Sequence, residues 1–366
     1  MRILGRYVLR EFATPLFYTL AGFFSIYILF ELFASFGRLA SAKPPALDIA
    51  NYFLAYFAPQ FKWFAPACLM LATLYTMWNF CRHSELIAMR ASGIGFFAIV
   101  KPLLLVAALM AAFTWYVDEY YVPERSQWAK SFRSAKFKEE EMVASGKTLF
   151  RNQSESRTWS IARFVSADAT TLADVTITDD SPSGVRECTI SSPLAQYLDG
   201  AWWLVDPQIV RYDSAGEEIP QSATPSPADA LTFRMFPFSE TPRDFLLQNR
   251  NAIFYSVADR ERYLELNPAI EPSVRREFEY NIWADRLAPL ACIVITLFAI
   301  PAGVATGRQS VFKGVVGALA MFFAFYALTL ACMAGAKLGY VPPVPAAVLP
   351  HAVFFLVGCM LFHRQR

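Results

Sequence analysis

Six stretches of the chain are predominantly apolar, and a long polar middle divides them three and three. They run from Pro15 to Phe36, Tyr56 to Phe80, Phe97 to Tyr120, Ile282 to Val304, Val315 to Ala336 and Val344 to Phe362. A hydrocarbon core of about 30 Å needs roughly 20 such residues in a helix, so the pattern predicts six transmembrane helices. Interior prolines such as Pro66, Pro102 and Pro289 fit this reading, because neighbouring helices re-satisfy the backbone groups that proline frees. The first stretch is too long for the apolar core of a signal peptide, and no small-residue cleavage site follows it. It is expected to stay as the first membrane helix.

Between about Tyr121 and Glu279 the period shortens. Runs such as Arg157 to Val165, Ala173 to Thr178 and Ala201 to Val205 alternate polar with β-branched or aromatic residues, the signature of strands. Turn clusters, Asp179 to Gly184 and Asp213 to Gly216, separate them. The expected fold class is an α+β membrane protein, six transmembrane helices with an inserted antiparallel β domain of jellyroll-like or sandwich type. The tract from Ile219 to Asp229 reads as a loop, and from Pro242 to Glu279 polar helical patterning leads back to the membrane. The domains are expected at 1–120, 121–279 and 280–366. A domain of this kind either buries its alternate apolar side chains, as a structural sandwich does, or exposes them on a concave face as an open conduit for an apolar ligand.

Composition agrees with the pattern. The chain is 55% hydrophobic and 17% charged, against roughly a quarter charged in soluble domains. A net charge of +2 gives no basic field for nucleic acid. Local charge is more informative. On one side of the spans lie Arg2, Arg6, Arg10, Arg82, Arg90, Lys101, Arg308, Lys313, Arg364 and Arg366, while the opposite short loops carry Arg38, Lys43 and Lys337. Basic residues mark the cytoplasmic side, so both termini are expected there and the long middle segment across the membrane. Five of the six cysteines lie in or beside apolar stretches, leaving Cys188 alone in the middle. No disulfide framework follows. His83, His351 and His363 are far apart with no HExxH spacing, so no metal site or cofactor is expected.

Some motifs imitate known chemistry. Ser145-Gly-Lys-Thr148 resembles the end of a phosphate-binding loop, but Glu141 stands where its first glycine belongs. Gly93-Ile-Gly95 lacks a preceding strand and reads better as a helix stop. No nucleophile and base, or paired carboxylates, stand at bilayer depth. Asp118 and Glu119 at a span boundary read as solvated groups. Glu31 and Lys62 are ionisable groups in or near spans and so are functional candidates, though Lys62 could equally snorkel.

The loop between the second and third spans reads Cys81-Arg-His-Ser-Glu-Leu-Ile-Ala-Met-Arg-Ala-Ser-Gly-Ile-Gly95. Ser84 is placed to cap, Glu85 suits the first turn, Arg90 the last, and Gly93 ends a helix of about two turns. Leu86, Ile87 and Met89 would be displayed, either to another protein or to the lipid interface.

Taken from Pro66-Ala-Cys-Leu-Met-Leu-Ala72 through Ser84-Glu-Leu-Ile-Ala-Met-Arg-Ala-Ser-Gly93, this run resembles the LptF/LptG family of lipopolysaccharide export permeases. The basic N-terminus and Leu297-Phe-Ala-Ile-Pro-Ala-Gly303 resemble it too. The strand Gly200-Ala-Trp-Trp-Leu204 is similar to the tryptophan-bearing strand of LptG-like members and leans the resemblance that way. The resemblance implies a non-catalytic permease subunit of an ABC transporter in the bacterial inner membrane. Its partners would be a second LptF/LptG permease, an LptB-like ATPase dimer that hydrolyses ATP, and LptC and LptA-like proteins that receive lipopolysaccharide in the periplasm.

Carried over by residue, the segment at about 82–93 would be a coupling helix for the ATPase, using Arg82, Glu85, Leu86, Met89 and Arg90. Lys62, Lys130 and Arg133 match basic positions that face the glycolipid phosphates, and Arg38 and Lys43 could extend that rim. Glu31 stands where LptG-like members often carry a basic residue. Two other classes stay open on the residues: a mechanotransmission subunit of another ABC system, and a membrane enzyme acting on lipid or envelope polymer, for which the catalytic constellation is missing.

Overall fold

The computed structural model describes residues 2–42, 45–123, 125, 128–129, 148–166, 168–181, 184–213, 216–219, 233–248, 255–308 and 311–364, without the side chains of 2, 38–42, 46, 305–308 and 311–314. The chain divides into two compact units, Met1–Glu139 with Pro272–Arg366, and Glu140–Glu271.

The first unit is helical. It opens with α1 (Arg2–Ala42), α2 (Ala46–Phe57) and a 3₁₀ turn (Ala58–Gln60) that leads directly into α3 (Phe61–Arg82). A short α4 (Glu85–Ala91) follows, then α5 (Phe96–Tyr116), whose last turn widens to π geometry over Val117–Tyr121. At a rise of 1.5 Å per residue α1 is about 60 Å long, well beyond the span expected at Pro15 to Phe36.

The second unit holds β1 (Thr148–Asn152), β2 (Arg157–Phe164), β3 (Thr171–Asp180), β4 (Arg186–Leu198), β5 (Ala201–Val205), β6 (Gln208–Arg211) and β7 (Phe233–Phe236). These described strands form one antiparallel sheet in the order β1-β2-β3-β4-β5-β7, with β6 also on β4. The long β4 pairs β3 and also serves two further partners, its first half pairing β6 and its second half β5. Two helices complete the unit, α6 (Pro242–Gln248) and α7 (Val257–Leu266).

This unit has a filled core of its own. Trp159, Ile161, Trp202 and Leu204 are fully buried, and Phe245 of α6 packs against both tryptophan rings while Leu266 of α7 joins the same cluster. Along these two strand segments the alternate side chains Trp159, Ile161, Trp202 and Leu204 fill this core, while Phe164, Trp203 and Val205 are half-buried and Val165 is exposed. Around this core Arg157 bonds Asp179, Glu155 and the fully buried Glu240 at 2.6, 2.6 and 3.0 Å. Burial alone would lower the Arg157 pKa, but the carboxylates of Glu240 and Asp179 more than reverse that, so the net shift is upward. Asn152 and the Trp202 ring N–H also donate to Glu240.

The helical unit resumes with α8 (Pro272–Leu287), α9 (Leu290–Arg308), α10 (Val311–Leu338) and α11 (Pro343–His363). Five helical stretches are long and apolar enough to cross a membrane, and a sixth is obtained if α8 and α9 count as one span bent by 57°. The span expected at Ile282 to Val304 is thus an elbow. Its break falls at Ala288 and Pro289, where proline supplies no backbone N–H to continue the ladder.

α9 packs against α3, α5, α10 and α11, and α1 lies on α3 and α5. The approach of α9 to α3 is close. A Cβ on Gly303 would come within 2.6 Å of the Met77 Cβ and 3.2 Å of the Leu74 carbonyl oxygen, so only glycine fits there. Phe17, Ile26, Phe30 and Phe33 on α1 and Leu356 and Met360 on α11 stay exposed. In water such patches are rare; in hydrocarbon they are the favoured surface.

Candidate functional site

Two polar clusters mark the two ends of α3. At its C-terminal end the chain turns through His83 and Ser84 into α4. Ser84 adopts the left-handed conformation, φ 60°, and its hydroxyl makes no capping hydrogen bond. The expected side-chain cap is therefore corrected: Ser84 contributes its carbonyl, which accepts from Ala88 N at 3.0 Å, and spends its conformation on the turn. Gly93, φ 79°, closes the helix as expected, with Gly93 N donating to Arg90 O and Ile94 N to Met89 O.

The face that α4 presents also differs from the expected one. Leu86 is buried and Met89 half-buried against the cluster formed by Val8, Phe12, Phe80 and Phe96. Of the three apolar residues expected to be displayed, only Ile87 is exposed, at 57%. A two-turn helix lying on a bundle must bury one side, and spacing i, i+3 puts Leu86 and Met89 on that side. Glu85 is held by the Tyr7 hydroxyl of α1, which donates to its Oε2 at 2.7 Å. Arg82 lies over the Trp78 ring at 5.1 Å. Arg82, Ile87, Ala88 and Arg90 remain exposed.

At the other end of α3 stands Lys62. Its ammonium pairs with Asp285 Oδ1 at 2.9 Å and with Asp118 Oδ2 at 3.4 Å, and the three side chains are 18, 16 and 22% exposed respectively. One cation thus joins α3, the π turn after α5 and the last turn of α8. Asp118, expected to be merely solvated, is a partner of this lysine. Lys43, Lys130 and Arg133 lie outside the described residues, as does the side chain of Arg38.

The family model for the lipopolysaccharide export system permease LptF/LptG matches residues 6–364, nearly the whole chain. The chain belongs to the LptF/LptG family. It is accordingly a multi-pass inner-membrane protein, and members of this family are transport subunits rather than enzymes. No curated protein sequence matches it.

In this permease Glu31 is 4% exposed within α1 and accepts from Ser35 Oγ at 2.7 Å and Tyr52 Oη at 2.9 Å. It fastens α2 to α1 through Tyr52, itself 1% exposed. Sequence reading missed Tyr7, Tyr52 and Asp285. Asp285 did carry a signal, an acidic residue at the edge of an apolar stretch opposite Asp118, whereas nothing around Tyr7 separates it from an ordinary interfacial tyrosine.

Beside the elbow a cavity of about 140 Å³ is lined by Lys62, Asp285, Ala288, Tyr326, Thr329 and His351, among others. The Tyr326 hydroxyl and His351 Nε2 in its wall are buried with no protein hydrogen-bond partner.

Proposed function

We propose that the chain is the permease subunit that couples an ATPase to lipopolysaccharide extraction. Both termini and α4 face the cytoplasm, where α4 docks on an LptB-like ATPase dimer. A second LptF/LptG permease completes the membrane pore, and the β unit lies in the periplasm and passes the glycolipid to LptC and LptA-like proteins. Lys62, together with Lys130, Arg133, Arg38 and Lys43, meets the glycolipid phosphates at the outer leaflet. Charge-assisted contacts of this kind are the strong class of hydrogen bond. An LptG-like rather than LptF-like role is the reading favoured by Gly200-Ala-Trp-Trp-Leu204.

The observation that carries the coupling role is the exposed face of α4. It joins one large apolar side chain, Ile87, to two flanking arginines, on a helix whose other face is anchored in the membrane unit. A push on such a helix is transmitted to α1 and α3 rather than absorbed by a loop. The test is Ile87→Asp in the full chain expressed with its native partners. The ATPase should no longer co-purify while the permease remains inserted and folded. Undiminished ATPase association and export would remove α4 from the coupling role.

A further inference from the structure

The cavity beside the elbow brings together polar groups from two helices, Tyr326 of α10 and His351 of α11, in a wall whose surface is mostly apolar. The Tyr326 hydroxyl and His351 Nε2 are both buried and have no hydrogen-bond partner among the described residues. Leaving such groups unsatisfied is costly, and buried polar atoms in folded proteins are overwhelmingly paired. Neither ring can turn away cheaply. Tyr326 packs on Trp63 and Phe322 at centroid distances of 5.4 and 4.8 Å, and His351 stands edge-on to Phe325 at 5.3 Å.

The hydrogen-bonding sense of each group follows from its neighbours. His351 Nδ1 lies 3.3 Å from the Ala347 carbonyl oxygen, which can only accept, so Nδ1 carries the proton. In the neutral ring Nε2 is then a bare acceptor. The Tyr326 hydroxyl can donate as well as accept. The wall thus offers an acceptor and a donor, and a ligand hydroxyl, which does both, is complementary to them. The rest of the lining decides what carries that hydroxyl. A charged ligand would lose its hydration against the apolar wall, and a cluster of waters would find few of the two to four polar partners that each needs. The volume of about 140 Å³ suits a small apolar body, since an apolar cavity of about 150 Å³ accepts benzene.

We infer that this cavity binds an uncharged hydroxyl carried on an apolar body, either a free ligand of about the size of phenol or the hydroxylated stretch of a lipid acyl chain. Tyr326 and His351 read the hydroxyl, while Trp63, Phe325 and Leu330 cover the body. Trp63 and Leu330 are 46 and 62% exposed, so an apolar rim leads into the site from the surface of the helical unit. The site does not draw on the reading of Lys62 as a phosphate-binding residue.

The experiment uses the full chain with its co-purifying subunits in nanodiscs of phosphatidylcholine, whose acyl chains carry no hydroxyl. The probes are 4-fluorophenol and fluorobenzene, titrated and followed by fluorine NMR line broadening. Ala288→Leu, which places a larger side chain in the cavity wall, gives the background from lipid and other surfaces. In the parent protein 4-fluorophenol should bind roughly threefold to tenfold more tightly than fluorobenzene, the scale of one net hydrogen bond. Tyr326→Phe should remove that preference and leave fluorobenzene binding unchanged, with no fall in unfolding temperature, because the deleted hydroxyl makes no bond to the described protein. His351→Leu should remove the preference as well. Equal affinity of the parent for the two probes, or a preference that survives both substitutions, would overturn the assignment. So would parent signals no greater than those of Ala288→Leu. Displacement of bound 4-fluorophenol by methyl 3-hydroxytetradecanoate but not by methyl tetradecanoate would support a hydroxylated acyl chain as the natural occupant, and displacement by neither would support a small free ligand. Equal displacement by both esters would show that the chain rather than the hydroxyl is read, and the inference would fall.

Discussion

The two ends of α3 solve the same problem with different chemistry. At Lys62 three charged groups from three segments share one ion cluster, each less than a quarter exposed. At Glu85 a single carboxylate is held by one neutral hydroxyl from Tyr7, in an exposed setting. The Lys62 end yields only to a competing charge, since nothing neutral can replace an ammonium between two carboxylates. The Glu85 end depends little on charge: its one exposed hydrogen bond contributes about 1 kcal/mol, and Leu86 and Met89 supply the apolar anchorage. α3 therefore joins an end held by shared charge to an end held by apolar packing and one exposed hydrogen bond, and α9 packs against it.

The grip itself is the strongest place to break this arrangement. Gly303→Leu drives a branched side chain into space where even a Cβ lies 2.6 Å from the Met77 Cβ, with the Leu74 backbone at 3.2 Å. Neither contact is the movable tip of a side chain, so α3 and α9 must separate. Overpacking of this kind costs typically 1–3 kcal/mol, occasionally more, and here it should also uncouple the two ends. The expected outcome is a lowered unfolding temperature in detergent and loss of export, with the permease still inserted. A variant as stable and active as the parent would show that α9 does not brace α3.

Much of this architecture was legible beforehand, because it rests on local period. Six apolar stretches, the alternating runs of the β unit, and the stop at Gly93 are each visible in a window of a few residues, and each is found near its expected place. The fourth span was recognised as apolar but not as bent, although Pro289 stands at the bend. What could not be read is pairing across the fold. Lys62 and Asp285 are 223 residues apart and Tyr7 and Glu85 are 78 apart, so no pattern in either neighbourhood points to the other. The inward turn of Leu86 and Met89 was missed for a related reason: amphipathicity shows that a short helix has an apolar side, not whether that side meets its own bundle or a partner. The same ambiguity covered Trp159 and Trp202, whose alternation fits an open conduit as well as the filled core they form.

A smaller effect is expected at the charged end. Lys62→Met keeps much of the aliphatic stem and removes the ammonium that Asp118 and Asp285 share. Breaking a fully buried pair costs roughly 3–5 kcal/mol; with these groups about a fifth exposed, roughly 2 kcal/mol is the reasonable scale. Adding Asp118→Asn and Asp285→Asn to that variant should recover most of the loss, since the harm lies in the charge pairing with Lys62 that is lost rather than in missing packing. Thermal unfolding of the single and triple variants checks this. No recovery in the triple variant would mean that Lys62 stabilises the unit through its stem.

The smallest effect belongs to the Glu85 end, and it is the one that sharpens the contrast. Tyr7→Phe deletes the hydroxyl and leaves the ring, which still packs toward Phe80 at a centroid distance of 6.0 Å. Glu85 is partly exposed, so water can replace the lost donor, and global stability should fall by no more than about 1 kcal/mol. The local consequence should be larger than the global one, because α4 loses its polar tie to α1 and is held by Leu86 and Met89 alone. Hydrogen exchange across residues 85–91 should rise severalfold while exchange in α3 and α9 stays at the parent level. If α4 exchanges as slowly in Tyr7→Phe as in the parent, its apolar anchor suffices and the Tyr7 hydroxyl adds nothing to holding it.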